Sequence, residues 1–283
     1  MNVAWTGEVW DEFGSSADLS SYAKLEDIDS IPNSVLTNIL FSGSVAVVNT
    51  VAEMTAMIAN SKPEVEIILD DDLVLASSLV IPAGKTVTFD LGGNTLSSAN
   101  IIPISVDGGE VVLKNGTVQT RTTGVSVNNG GSITLDGANV VSTGHNGISL
   151  FSGSSGVINS GSITSQEAGV AVFKNSDLVI NGGTITGVDN GPIMGNGTVG
   201  DKTNNGENIN IVMNGGKLIA HIQSAGYTAC AVYLPNSGSF TMNGGEIESD
   251  GAGLVMRGGT VNLNGGSIVA TGESGILGKV GDS

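Results

Sequence analysis

The chain has 283 residues and sets 10 Lys plus Arg against 27 Asp plus Glu, for a formal net charge of −17. No basic patch gathers along it, and such a field excludes a surface for nucleic-acid backbones. Glycine supplies 43 residues and aromatics only 4%; this is about twice the ordinary glycine content of roughly 7%, and the absence of a three-residue period excludes collagen and marks turns instead.

Residues 1–44 carry no repeat and read as an N-terminal arm. Trp5, Trp10, Phe13 and Tyr22 stand in an otherwise small and acidic segment. The arm is either loosely attached or a docking peptide whose rings bury against another chain, as interface anchors do. The start lacks a basic stretch followed by an apolar run, and no segment approaches about 18 uninterrupted apolar residues, so neither a signal peptide nor membrane insertion is expected.

From residue 45 onward the pattern changes. Val45–Val48 reads as a short strand. Thr50 followed by Glu53 makes a capping box, and Val51, Met54, Met57 and Ile58 share one helical face. The expected short helix covers the first open coil, which would otherwise expose apolar side chains and unpaired backbone.

Alternating apolar residues then return at a nearly fixed interval. The phrase Asn181-Gly182-Gly183-Thr184-Ile185 recurs at Asn214, Asn243 and Asn264, with a weaker copy at Asn159. The apolar residue closing each unit falls at 96, 118, 140, 163, 185, 218, 247 and 268, in steps of 22, 22, 23, 22, 33, 29 and 21 residues. Such a period specifies a solenoid. Pairs such as Val111/Leu113, Leu178/Ile180 and Phe240/Met242 form one period-2 row, and Val125/Val127, Ile148/Leu150 and Leu254/Met256 a second. The predicted fold is all-β, a single-stranded parallel β-helix of about 22-residue coils with roughly three short strands per turn. Residues 45–283 form that domain, with the N-terminal capping helix and the extended N-terminal arm ahead of it.

Asn159, Asn181, Asn214, Asn243 and Asn264 form a candidate structural turn ladder, their amides hydrogen-bonding between coils, while the glycines supply positive backbone angles. Two longer steps place insertions before Leu218 and Ile247. Insertions in solenoids emerge as loops, so Asn196, Asp201 and Tyr227 are candidate recognition residues. Asn115 and Asn196 match glycosylation acceptors, a pattern that glycine-rich turns create easily. Cys230 has no disulfide partner in the chain and reads as a small residue beside the core.

Chemistry is thinly represented. Glu246 and Glu248 alternate onto one strand face and Asp250 follows, a weak catalytic alternative for glycoside cleavage. Asp70-Asp71-Asp72 reads as a solvated turn. His145 and His221 have no sequence-local nucleophile and carboxylate arrangement, and Arg121 and Arg257 lie far apart in stacking order. No metal site and no cofactor is expected. After Gly275-Ile276-Leu277-Gly278 no amphipathic cap follows; either another chain covers that end, or the sequence stops short of a natural terminus.

From Thr50 to Gly278 the chain resembles right-handed parallel β-helix proteins, a superfamily of pectate-lyase-like enzymes, bacterial surface proteins and bacteriophage tailspikes and fibres. The phrases Ile81-Pro82-Ala83-Gly84-Lys85 and Leu91-Gly92-Gly93-Asn94 look like its opening coils. Leu19-Ser20-Ser21-Tyr22-Ala23 resembles attachment regions of phage fibre proteins. The resemblance implies a homotrimeric structural or adhesive fibre on the virion surface, on head or tail. Trp5, Trp10, Phe13 and Tyr22 would dock to a capsid or tail protein, and a host surface glycan is a further partner. The enzymatic alternative is a polysaccharide-degrading tailspike or lyase-like protein, from which this chain departs by lacking a sequence-evident Arg–acid–calcium cluster.

Overall fold

The computed structural model describes residues 2–5, 10–13, 43–196, 204–221, 230–272 and 276–278. Tyr22, Asp201 and Tyr227 lie outside them. The body is a right-handed parallel β-solenoid. One coil is typified by Glu110–Lys114, Thr117–Thr120 and Val125–Asn128. Strands equivalent to the first two stack into two rows of a 17-stranded sheet, and strands equivalent to the last form a separate 9-stranded sheet, the third face. Two strands, Ser132–Ser142 and Ser155–Ser165, run through the corner and join the two rows.

Pairing between coils is parallel, and its register follows the expected period. Leu96, Val118, Val140, Ile163, Ile185, Leu218, Ile247 and Ile268 form one line of partners through the stack. Val111, Ile133, Gly156, Leu178, Ile211, Phe240 and Val261 form another. Gly156 leaves a gap in that line, and Leu150 and Leu178 close over it. Alternation turns these residues inward, where a fully buried aliphatic side chain contributes about 1.5–3 kcal/mol. The lines open at the carboxyl end: Leu263 is in register with the buried Met242, yet 46% exposed.

At the other end helix α1 (Val51–Ala59) closes the tube and buries Met54, Met57 and Ile58. The Thr50 hydroxyl accepts from the Glu53 N–H, and the Glu53 carboxylate accepts from the Thr50 N–H, so the capping box is complete. Lys85, from the next coil, reaches the far end of this helix. Its Nζ donates to the Asn60 backbone and side-chain oxygens, at 3.0 Å each, and to the Lys62 carbonyl. A cation there suits the negative helix terminus, and burial lowers the Lys85 pKa.

The Asn-Gly-Gly turn uses its two glycines differently. At Gly215 a Cβ would lie 2.6 Å from the Asn181 carbonyl oxygen of the preceding coil. Gly216 takes φ +82°, the left-handed region. Positive angles alone, as the sequence suggests, account for only the second of them. The first is glycine because neighbouring coils touch there.

Candidate functional site

The turn asparagines stack as a continuous chain of amides. Nδ2 of Asn181 donates to Oδ1 of Asn159, and Asn214, Asn243 and Asn264 each donate in turn to the asparagine one coil back, at 2.8–2.9 Å. Each interior amide therefore donates once and accepts once, a structural use of its polarity.

Charged side chains obey the same coil spacing. His145 Nδ1 lies 3.3 Å from Glu167 Oε1, and Lys174 Nζ 3.1 Å from Glu207 Oε2. Lys217 Nζ lies 2.6 Å from Glu248 Oε1 and 3.6 Å from Glu246 Oε2, and His221 Nδ1 3.3 Å from Asp250 Oδ2. The structure thus gathers Glu246, Glu248 and Asp250 on one outer face, with Lys217 and His221 from the coil before. Sequence reasoning passed over Lys217. The 29-residue step from Leu218 to Ile247 carried the signal, since it sets Lys217 opposite Glu246 and His221 opposite Asp250.

Of these groups His221, Glu248 and Asp250 line a hollow of about 170 Å³, together with Ile219, Ser249 and Val269. The Glu248 hydrogen bond is the largest cause that raises the Lys217 pKa; desolvation opposes it, and the charges of Glu248 and Glu246 add to it. The Lys217 ammonium is hydrogen-bonded to Glu248 and ion-paired with Glu246, so it occupies the pair that a glycosidase would use as acid and base. Among the described residues no group of three or more His, Cys, Asp or Glu could hold a metal ion. In the acidic run near the start, the Asp72 carboxylate accepts the Thr95 N–H of the next coil.

The third face differs from the other two. Its nine strands contain one charged residue, Asp107, whereas the other sheet carries Glu64, Glu66, Glu110, Lys217, Glu246 and Glu248 among others. Outward positions on this face align as Ser105, Ser126, Ser149, Ala171, Met194, Tyr233 and Val255. The line is hydroxylated toward the amino end and apolar toward the carboxyl end. There Ala168, Ala171, Met194, Cys230, Tyr233 and Ala252 form a second buried cluster outside the tube, with Phe173 and Val255 against it. The Arg257 guanidinium stands 5.9 Å from the Tyr233 ring centroid, within cation–π reach. Cys230 is buried in this cluster, and burial pushes its thiol pKa up to about 12.

Both insertions adjoin strands of this face in sequence. Residues 197–203 follow the strand Gly191–Gly195, and 222–229 precede Cys230–Leu234. Asn196 is buried and turns the chain at φ +64°, its N–H bonded to the Val172 carbonyl. Phe151 and Phe173, one coil apart on the same face, stack with centroids 4.7 Å apart and planes at 17°.

In the arm, Asn2–Trp5 and Trp10–Phe13 form an antiparallel hairpin with Trp5 opposite Trp10 and Asn2 opposite Phe13. This pair is a sheet of its own. No helix among the described residues is long and apolar enough to cross a membrane. No family model matches the chain, and neither a curated protein nor a solved structure does.

Proposed function

We propose that this β-solenoid is a structural or adhesive fibre subunit of a phage virion, displayed on the virion surface as a homotrimer. Residues 1–44 dock it to a capsid or tail protein, and residues 45–283 are the exposed β-helix. The observation that carries this reading is the separate N-terminal hairpin with its opposed tryptophans. A lone two-stranded hairpin is only marginally stable in water. Backbone register sets Trp5 opposite Trp10, and tryptophan is among the residue types that dominate binding between proteins.

The test combines solution mass with particle binding. Sedimentation should give three times the chain mass of 28.4 kDa, and the full-length W5A/W10A variant should keep its β-sheet circular dichroism while failing to co-sediment with particles. A monomer that releases oligosaccharides from polysaccharide would overturn the proposal. A second reading, a polysaccharide-degrading enzyme, draws on the gathering of Glu246, Glu248 and Asp250 beside His221. It requires reducing-end release that E248Q abolishes.

A further inference from the structure

We propose that Asn129 is a site of spontaneous covalent modification, where the side-chain amide is lost through a cyclic imide formed with Gly130, and that the stacked asparagine corners are closed to the same reaction. The chain holds ten Asn-Gly pairs, and asparagine is among the chemically labile residues. A following glycine has no side chain to hinder attack by its own backbone nitrogen. The fold sorts these pairs by what holds each one still.

The reaction needs only the chain and water. The Gly130 nitrogen gives its proton to solvent base, and its lone pair attacks Asn129 Cγ. As that C–N bond forms, the Cγ–Nδ2 bond breaks, and Nδ2 leaves as ammonia after taking a proton from water. Water then opens the five-membered imide. Cleavage at Cγ leaves an aspartate, and cleavage at the main-chain carbonyl leaves an isoaspartate. To carry the Gly130 nitrogen onto Cγ, the peptide between the two residues must swing out of the folded turn. Such local opening is governed by the bonds and contacts it has to break.

At Asn129 there is little to break. The Gly131 N–H donates to the Asn128 carbonyl and closes a tight turn, with φ +53° at Asn129 and +76° at Gly130, the paired left-handed geometry that Asn-Gly favours. Both central residues are exposed. Among the described residues, neither the Asn129 carbonyl nor the Gly130 N–H has a hydrogen-bond partner. The space is open as well, since a Cβ on Gly130 would meet only the Gly153 carbonyl oxygen, at 3.9 Å.

The ladder corners are built the opposite way. The N–H groups of Gly182, Gly215, Gly244 and Gly265 each donate to a carbonyl of the preceding coil, at 3.3–3.4 Å. A Cβ on any of the four would fall 2.5–2.7 Å from an asparagine carbonyl oxygen one coil back, so the peptide is wedged between windings. The amides to be lost are themselves bonded in the stack. Elsewhere the Asn115 carbonyl accepts from the Gly93 N–H, and the Gly147 N–H donates to the Ala168 carbonyl. Conversion at Asn129 would also be felt by the fold. Its Nδ2 donates to the Asp107 carboxylate of the preceding coil. Loss of the amide removes that donor and sets a second carboxylate against the first, replacing an attraction by like-charge repulsion.

The test is peptide mapping by mass spectrometry of the full chain held at pH 8, beside a sample unfolded in urea. In the native chain the first amide-to-acid conversion should fall on Asn129, at least tenfold faster than on Asn115, Asn181, Asn214 or Asn243. Both aspartate and isoaspartate should form there, at a rate that rises with pH. In urea the same five positions should react at similar rates, because only the fold separates them. N129S should remove the fast site and leave the slow ones unchanged, and N129D should melt at a lower temperature than the wild type. A ladder asparagine converting as fast as Asn129 in the native chain would overturn the assignment. So would an Asn129 that stays intact in the native chain while it reacts in urea. An N129D variant as stable as the wild type would overturn the predicted repulsion with Asp107.

Discussion

Replacing Gly84 with Ala puts a Cβ on a left-handed residue (φ +77°) with nothing within 4 Å of it. The cost is therefore purely conformational, about 1–2 kcal/mol. Asn tolerates that region, so G84N should cost well under ~1 kcal/mol. At Gly215 the same methyl meets the Asn181 carbonyl oxygen at 2.6 Å. The backbone must move whichever side chain is chosen, so G215A and G215N should both lower the melting temperature more than G84A does. Thermal unfolding of the four variants checks this. N214A removes one donor and one acceptor from the amide stack, for a loss of about 1–3 kcal/mol. Cys230 belongs to the same scale. With its thiol pKa near 12 by burial, it should be inert to a thiol reagent at pH 8 in the native protein and react only as the chain unfolds.

Among elements, the capping helix carries the sharpest predictions. T50A should destabilise by about 0.5–2 kcal/mol through loss of the capping box. Lys85, which fastens the end of that helix, has a pKa below its ordinary 10.5 in the folded state because burial disfavours the charge. The unfolded chain then binds more protons than the native one in the interval below 10.5, so this group's contribution to stability rises as pH climbs through the lowered folded pKa toward that value. Stability measured as pH approaches 10.5 from below should rise more steeply with pH in the wild type than in K85M. The helix itself was readable from Thr50, Glu53 and the spacing of Met54, Met57 and Ile58. Lys85 was not, because its partners lie 23 to 25 residues away, across a coil boundary. The Lys217–Glu246 and His221–Asp250 contacts were missed for the same reason, although the 29-residue step encoded both. The neutral third face is likewise written in the strands, but only after the strands have been sorted by sheet. Whether outward residues on that face become buried, as Met194 and Tyr233 do, depends on packing that alternation cannot report.

For the molecule as a whole, stability should be distributed along the axis, because each coil touches only its neighbours. Among the described residues the strands Thr260–Leu263 and Ser267–Ala270 pair with a coil on one side, and Leu263 and Val269 are exposed. Hydrogen exchange should consequently be fastest in Thr260–Leu263 and Ser267–Ala270 and slowest in central strands such as Glu110–Lys114. Uniform protection along the axis would contradict a one-dimensional architecture. Coil-to-coil register also governs how such a molecule changes size. Ile163 and Ile185 are direct partners, so excising residues 163–184 would splice Ser162 to Ile185 and let every remaining rung mate with an equivalent one. Removing one residue from a strand would instead reverse which side chains face the interior. A gene encoding this tube can therefore shorten or lengthen its product by whole windings far more safely than by single codons, and reach becomes a quantity adjustable in discrete steps.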